Sequence, residues 1–288
     1  MHINRRPRVC SAITTLALVF LGGCQSMDTS PGPGTLGPEK IAAVLASADR
    51  SPADRNNDVR RKPADMLAFI GIRPGMTALD ISAGGGYTTE LLARAIGPGG
   101  RVYGQNPPRD LVNPTPRPAV PEGASASVPR ISDRSNVTVT PPVRQTLADR
   151  ARTPAIAQIT PVNRRFDDPV PPEIAPGTLD LATLMFNYHD LSYMGVDRAS
   201  MNKAVFTALK PGGIYVIADH AGRAGTGISE AGTLHRMEEA FLRREIEAAG
   251  FRLSAGGNFL RNPSDPRDRN IPEPPQPKDE FVLKFIKP

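Results

Sequence analysis

Two dipeptides in this chain pair an imidazole with a carboxylate: His189-Asp190 in "LMFNYHDL" and Asp219-His220 in "IYVIADHAG". A histidine titrates near neutrality, and a neighbouring carboxylate biases where its proton resides. Such pairs suit removal of a proton from a hydroxyl or an ammonium during group transfer. Asn187 and Tyr188 add polar groups beside the first pair. His235 opens a later helix and is the weaker candidate, while His2 belongs to the N-terminal leader. No close-spaced ligand pattern marks a metal site, so none is expected.

The second chemical feature is the run Gly84-Gly85-Gly86 in "ALDISAGGGYTTELLARAI". Residues without a Cβ let a ligand approach backbone N–H groups at the positive end of a helix. A dinucleotide loop needs G-x-G-x-x-G, and Thr89 stands where the third glycine belongs, which disfavours NAD.

These residues need a frame. "RPGMTALDIS" reads as a turn and a buried strand, "YTTELLARAI" as a helix closed by "GPGG", and "RVYGQN" as a second strand, which makes a βαβ unit over 76–106. "EKIAAVLASADR" and "DVRRKPADMLAFIGI" have helical spacing, with Pro63 at a first helical position. Further on, "ITPVNRRFDD" holds a third strand, "GTLDLATLMFNYHDL" a fourth and "IYVIADHAG" a fifth, with the helix "DRASMNKAVFTALKPGG" between the last two. "TLHRMEEAFLRREIEAAGF" reads as one helix, and "RLSAGGNFLRNP" and "DEFVLKFIKP" as a closing antiparallel pair. Repeated βαβ order predicts an α/β, doubly wound, seven-stranded sheet, with ligands at the carboxyl ends of the strands.

The glycine loop, "LKPGG" before the fifth strand and the closing strand pair together resemble the class I S-adenosylmethionine (SAM) dependent methyltransferases, which have a Rossmann-like fold and an acidic residue ending the second strand, where this chain has Gln105. "RKPADMLAFIGIRPGM", "NYHDL", "LKPGGIYVIADH", "GTLHR" and "EFVLKFIKP" are similar to a bacterial exported group of predicted methyltransferases. The resemblance covers roughly 40–288 without the Pro-rich insertion. It implies SAM as cofactor. It also implies that Asp80 orients the loop, that Gly84 and Gly86 pass the methionine moiety, that Gln105 meets the ribose hydroxyls and that Asp167 lies near the adenine, with Asn187 beside the cofactor. Ser82 stands where the family has its first glycine, which is tolerable if its φ stays negative. Because the sulfonium already activates the methyl group, the protein mainly aligns the acceptor and removes its proton. His189, Asp190 and His220 are the candidates for that work; the alternative for His189 is packing beside the cofactor.

The chain's start points elsewhere in the cell. Arg5, Arg6 and Arg8 precede the apolar run "SAITTLALVFLGG", and Leu21-Gly22-Gly23-Cys24 resembles the lipobox of bacterial lipoproteins. The expectation is a signal peptide over 1–23, lipidation at Cys24, a tether over 24–38 and a domain over 39–288 with an irregular insertion at 107–142. The domain would then be held on an envelope membrane, on the periplasmic side, acting on a small-molecule or lipid-like acceptor. The rival expectation is a methyltransferase fold without turnover, serving as a binding or scaffold module. The net charge of +6 is spread along the chain without aromatic interleaving, so a nucleic-acid partner is not expected.

Overall fold

A computed structural model describes residues 1–2, 34–108 and 145–288. The leader with Cys24, the tether as far as residue 33 and the insertion beyond Pro108 lie outside the described residues. The chain divides into units of residues 1–30 and 31–288, and the fold is that of the second.

Seven strands make one sheet: β1 (Thr77–Ile81), β2 (Arg101–Asn106), β3 (Ile159–Asn163), β4 (Leu179–Met185), β5 (Leu209–His220), β6 (Arg252–Gly257) and β7 (Glu280–Ile286). Their order is β3-β2-β1-β4-β5-β7-β6. The first five are parallel, and β7 runs antiparallel between β5 and β6. Strands covered on both faces need continuous apolar runs, and Ala78, Leu79 and Ile81 of β1 are fully buried. The order reverses between β1 and β4, which opens a crevice at their carboxyl ends.

Helices α1 (Pro38–Ala46), α2 (Pro52–Arg61), α3 (Pro63–Ile70), α4 (Tyr87–Ile96) and α5 (Leu147–Ala151) come before β3 in the chain. Met66, Leu67, Ile70, Leu92, Ile96 and Leu147 from three of them form one core cluster with Ala78 and Val102. The other cluster takes Tyr188 and Leu191 from α6 (Tyr188–Tyr193), Met201 and Val205 from α7 (Arg198–Ala208), and Leu242 and Ile246 from α9 (Glu239–Ala248). Pro63 begins α3 as expected, and Lys62, in a left-handed conformation with φ 42°, ends α2.

Of the elements that differ from the sequence expectation, two shape the site. The fourth strand stops at Met185; Phe186 turns left-handed with φ 60°, and His189 and Asp190 lie on α6 instead of a strand. The expected helix over 233–251 is broken into α8 (Ala231–Leu234) and α9. Backbone bonds from Met237 N–H to His220 O (3.1 Å) and from Gly222 N–H to Met237 O (2.7 Å) draw this segment alongside the end of β5. A residue paired in this way cannot continue a helix, and His235 takes φ 49° at the break.

Candidate active site

The glycine loop is fixed from beneath. Asp80, buried at the end of β1, accepts hydrogen bonds from the hydroxyls of Thr89 (2.6 Å) and Thr183 (2.7 Å), tying β1 to α4 and β4. Burial pushes its carboxyl up to about 6, against the two hydroxyls that favour the anion. Ser82 has φ 58°, so the expected negative φ is corrected. Its conformation is held by neighbours: its N–H donates to Gln105 Oε1 (3.1 Å), and its Oγ accepts from Asn187 Nδ2 (2.7 Å).

Two assignments carried by the resemblance, those of Gln105 and Gly86, change here. Gln105 is fully buried, and its Nε2 donates inward to Arg164 O (2.6 Å), so its amide staples loops together and cannot meet a ribose. Asn106, one residue on and half-buried, accepts from Gly84 N–H (2.8 Å) and donates to Gly84 O (3.0 Å). Gly86 faces α5: a Cβ there would lie 2.8 Å from Leu147 Cδ1 and 2.9 Å from Arg150 Cδ. Its hydrogen serves helix packing, whereas a Cβ on Gly84 would meet nothing within 4 Å. Asp167 is clasped by Arg165 at 2.8 and 2.7 Å, which holds its carboxyl below the usual range.

Arg150 closes the underside of the loop. Its Nε donates to Gly85 O (2.6 Å), and its guanidinium pairs with Asp54 (2.7 Å) and Glu90, both buried. A planar cation with several donors fits such a shared role.

At the ends of β4 and β5 the histidines gather. His189 is fully buried; its Nδ1 lies 2.6 Å from Asp219 Oδ1, and its N–H donates to Asp219 Oδ2 at 2.8 Å. Its Nε2 lies 3.2 Å from Asp190 Oδ1 and 3.3 Å from His235 Nδ1. His235 Nδ1 is itself 3.0 Å from Asp190 Oδ1. His220 packs its ring 5.4 Å from that of His189 and 5.6 Å from that of Phe186, while its Nδ1 lies 3.0 Å from Glu280 Oε1. Arg61 covers the Phe186 ring at 3.8 Å.

Burial alone would drive His189 toward its neutral form, but the Asp219 and Asp190 carboxylates outweigh it and hold the imidazole up at about 10. Asp190 is held well below the usual carboxylate range by His189 and His235, against its own burial. At neutral pH such an imidazolium already holds the proton that a general base must take up. His189, Asp190 and His235 offer three ligand atoms within 4.8 Å of one another, which corrects the expectation that no metal-ligating pattern exists. Spacing along the sequence concealed it, because His235 is 45 residues from Asp190 and reaches it only through the broken helix.

Residues 60–128 match the family Protein-L-isoaspartate(D-aspartate) O-methyltransferase, a stretch well short of half the chain that includes the glycine loop and β2. The structure aligns with a SAM dependent methyltransferase from Aquifex aeolicus with a TM-score of 0.52 and 16% identity, over 88% of this chain and 100% of that one. An arsenic(III) S-adenosylmethionine methyltransferase from Chlamydomonas reinhardtii aligns with a TM-score of 0.50 and 15% identity, over 88% of this chain and 74% of that one. The chain has the class I methyltransferase fold. Comparison with curated proteins gives no match. In this methyltransferase fold the strand order reverses beside the glycine loop, and the histidine cluster sits across the same crevice at the ends of β4 and β5.

Proposed function

We propose that the protein is a SAM-dependent methyltransferase. The observation that carries this reading is the open space beside Gly84, where a Cβ would meet nothing within 4 Å, at the switch point of a methyltransferase fold. The loop fits the methionine portion of SAM. Asn106 takes over the ribose role from Gln105: each of its amide atoms makes one bond to Gly84, leaving one acceptor and one donor site for a diol. SAM supplies an activated methyl group when bound. The chain's own part is to hold it, align an acceptor and exclude water.

A small or lipid-like acceptor is supported by a crevice beside the loop, lined by Met66, Leu67, Ile70, Leu91, Met185 and Phe186. Its wall is almost wholly apolar, with Arg61 the charged group among its lining residues. The lipobox-like Leu21-Gly22-Gly23-Cys24 is the feature that supports a lipid-anchored location on a bacterial envelope membrane. Among the described residues no helix is long and apolar enough to cross a membrane.

The non-catalytic alternative draws support from the committed side chain of Gln105. Calorimetric titration with SAM and S-adenosylhomocysteine tests both readings. Binding of both, with methyl transfer to a component of an envelope extract, establishes the enzyme. Binding without transfer favours the module, and binding of neither at millimolar concentration overturns the SAM reading.

A further inference from the structure

The side chains of His189, Asp190 and His235 form a nearly equilateral triangle of donor atoms. Its edges are 3.2 Å from His189 Nε2 to Asp190 Oδ1, 3.0 Å from Asp190 Oδ1 to His235 Nδ1, and 3.3 Å from His235 Nδ1 back to His189 Nε2. Ligand atoms bound tetrahedrally at about 2.0–2.1 Å from a zinc ion are separated by roughly 3.3–3.4 Å, so the triangle is close to one face of such a polyhedron. We propose that His189, Asp190 and His235 bind a divalent transition-metal ion, with the fourth coordination position left to water or an incoming ligand.

Hydrogen bonding alone does not satisfy the triangle. Asp190 Oδ1 can accept from both rings, but the third edge then sets two N–H groups against each other at 3.3 Å. If one ring nitrogen gives up its proton, the other N–H faces both remaining atoms, but one edge still sets an imidazole lone pair against the carboxylate oxygen. If both do, two lone pairs face it. A dication set off the plane of the triangle meets all three atoms as ligands. It also balances two carboxylates, Asp190 in the triangle and Asp219 behind it, while both imidazoles stay neutral.

The surroundings are those of a ligating histidine. Asp219 Oδ1 takes the far nitrogen of His189 at 2.6 Å, which fixes the ring and leaves Nε2 for the metal, the carboxylate–histidine–metal arrangement. His235 is held through its neighbour: the fully buried Arg236 pairs with Asp265 (2.8 Å) and donates to Ala221 O (3.0 Å) and Arg269 O (2.9 Å). The ligands thus come from α6 and from the break between α8 and α9, each anchored to the end of β5. Asp190, with 19% of its side chain exposed, marks the side from which an ion and a fourth ligand would enter. Two imidazoles and a carboxylate suit zinc or ferrous iron better than magnesium or calcium, which prefer all-oxygen sites.

The site is independent of the methyl-transfer reading, and its test uses metal alone. The full-length protein, stripped with chelator, is titrated with Zn²⁺ in competition with a chromophoric chelator, and Co²⁺ is used to record the visible bands of a tetrahedral ion. One strong site is expected. His235→Asn keeps a residue that tolerates a left-handed backbone while removing the imidazole, and its folding is checked by circular dichroism. Asp219→Asn, behind the site, is expected to weaken binding by about 10- to 100-fold, and His235→Asn by more. Absence of a strong site in the wild type overturns the proposal. So does unchanged affinity in folded His235→Asn, which would assign the metal to His2, Cys10 or Cys24. Should His235→Asn fail to fold, unchanged affinity in Asp219→Asn together with no tetrahedral cobalt spectrum in the wild type overturns it equally.

Discussion

Asp219 grips His189 twice, through the ring Nδ1 at 2.6 Å and through the backbone N–H at 2.8 Å. The same carboxylate also accepts the N–H of His220 at 2.8 Å. One buried side chain at the end of β5 therefore sets the start of α6, which belongs to the neighbouring strand's connection.

Removing that carboxylate strands a buried imidazole and two N–H groups. Asp219→Ala is expected to lower unfolding free energy by about 3–5 kcal/mol, the usual cost of breaking a buried pair from one side. Urea denaturation checks it. A loss below about 1 kcal/mol would mean that α6 is held by its apolar contacts alone.

Asp80 gives stability a pH dependence of definite sign. Its carboxyl is at about 6 in the fold against an ordinary 3.8, so the fold favours the neutral acid. Its contribution is fully present below about pH 4 and is lost as pH rises through about 6. Asp80→Asn mimics the neutral form, so the stability difference, wild type minus variant, is expected to fall across this window. A flat or rising difference in denaturation series at several pH values would contradict the assignment.

The loop glycines separate by what surrounds them. Gly84→Ala meets open space and carries only the left-handed penalty of φ 55°, about 1–2 kcal/mol. Gly86→Ala adds a clash with Leu147 and Arg150, typically a further 1–3 kcal/mol. Thermal melts are expected to rank Gly86→Ala well below Gly84→Ala. Gly84→Val, by contrast, is expected to abolish SAM binding in a folded protein, which calorimetry reads directly.

For the leader, Cys24→Ser is expected to leave an unprocessed or soluble product in place of a lipidated one. Metabolic labelling with a fatty-acid probe compares the two. Equal label in both would remove the anchor from the proposed function.

The sheet was legible because its strands are written as apolar runs punctuated by glycine turns, as in "TALDIS" before Gly84 to Gly86. Pro63 marked the start of α3 for an equally local reason, its fixed φ. The site was legible only where chemistry sits next to its own strand, as with His189 and Asp190. His235 was misplaced because "TLHRMEEAF" has helical periodicity, and only a long-range backbone pairing with the end of β5 breaks it. Gln105 was misassigned for a related reason. The direction in which a strand-end amide points depends on partners such as Ser82 and Arg164 that local sequence does not reveal.

The buried Arg150 pairs with Asp54 of α2, and Arg60 of the same helix reaches Glu280 at the start of β7 (2.9 Å). Lys62, at its end, donates to Phe259 O (2.5 Å). Mechanically, α2 is a clamp riveted at separate points onto the sheet and the glycine loop. A pull applied from the N-terminal side loads α1, docked through Leu36 and Ile41, and then these rivets; if they shear, Arg150 loses one of the two acids that steady it beneath Gly85. Tension that passes α1 would thus be felt at the support of the cofactor loop while the strand pairings are still intact.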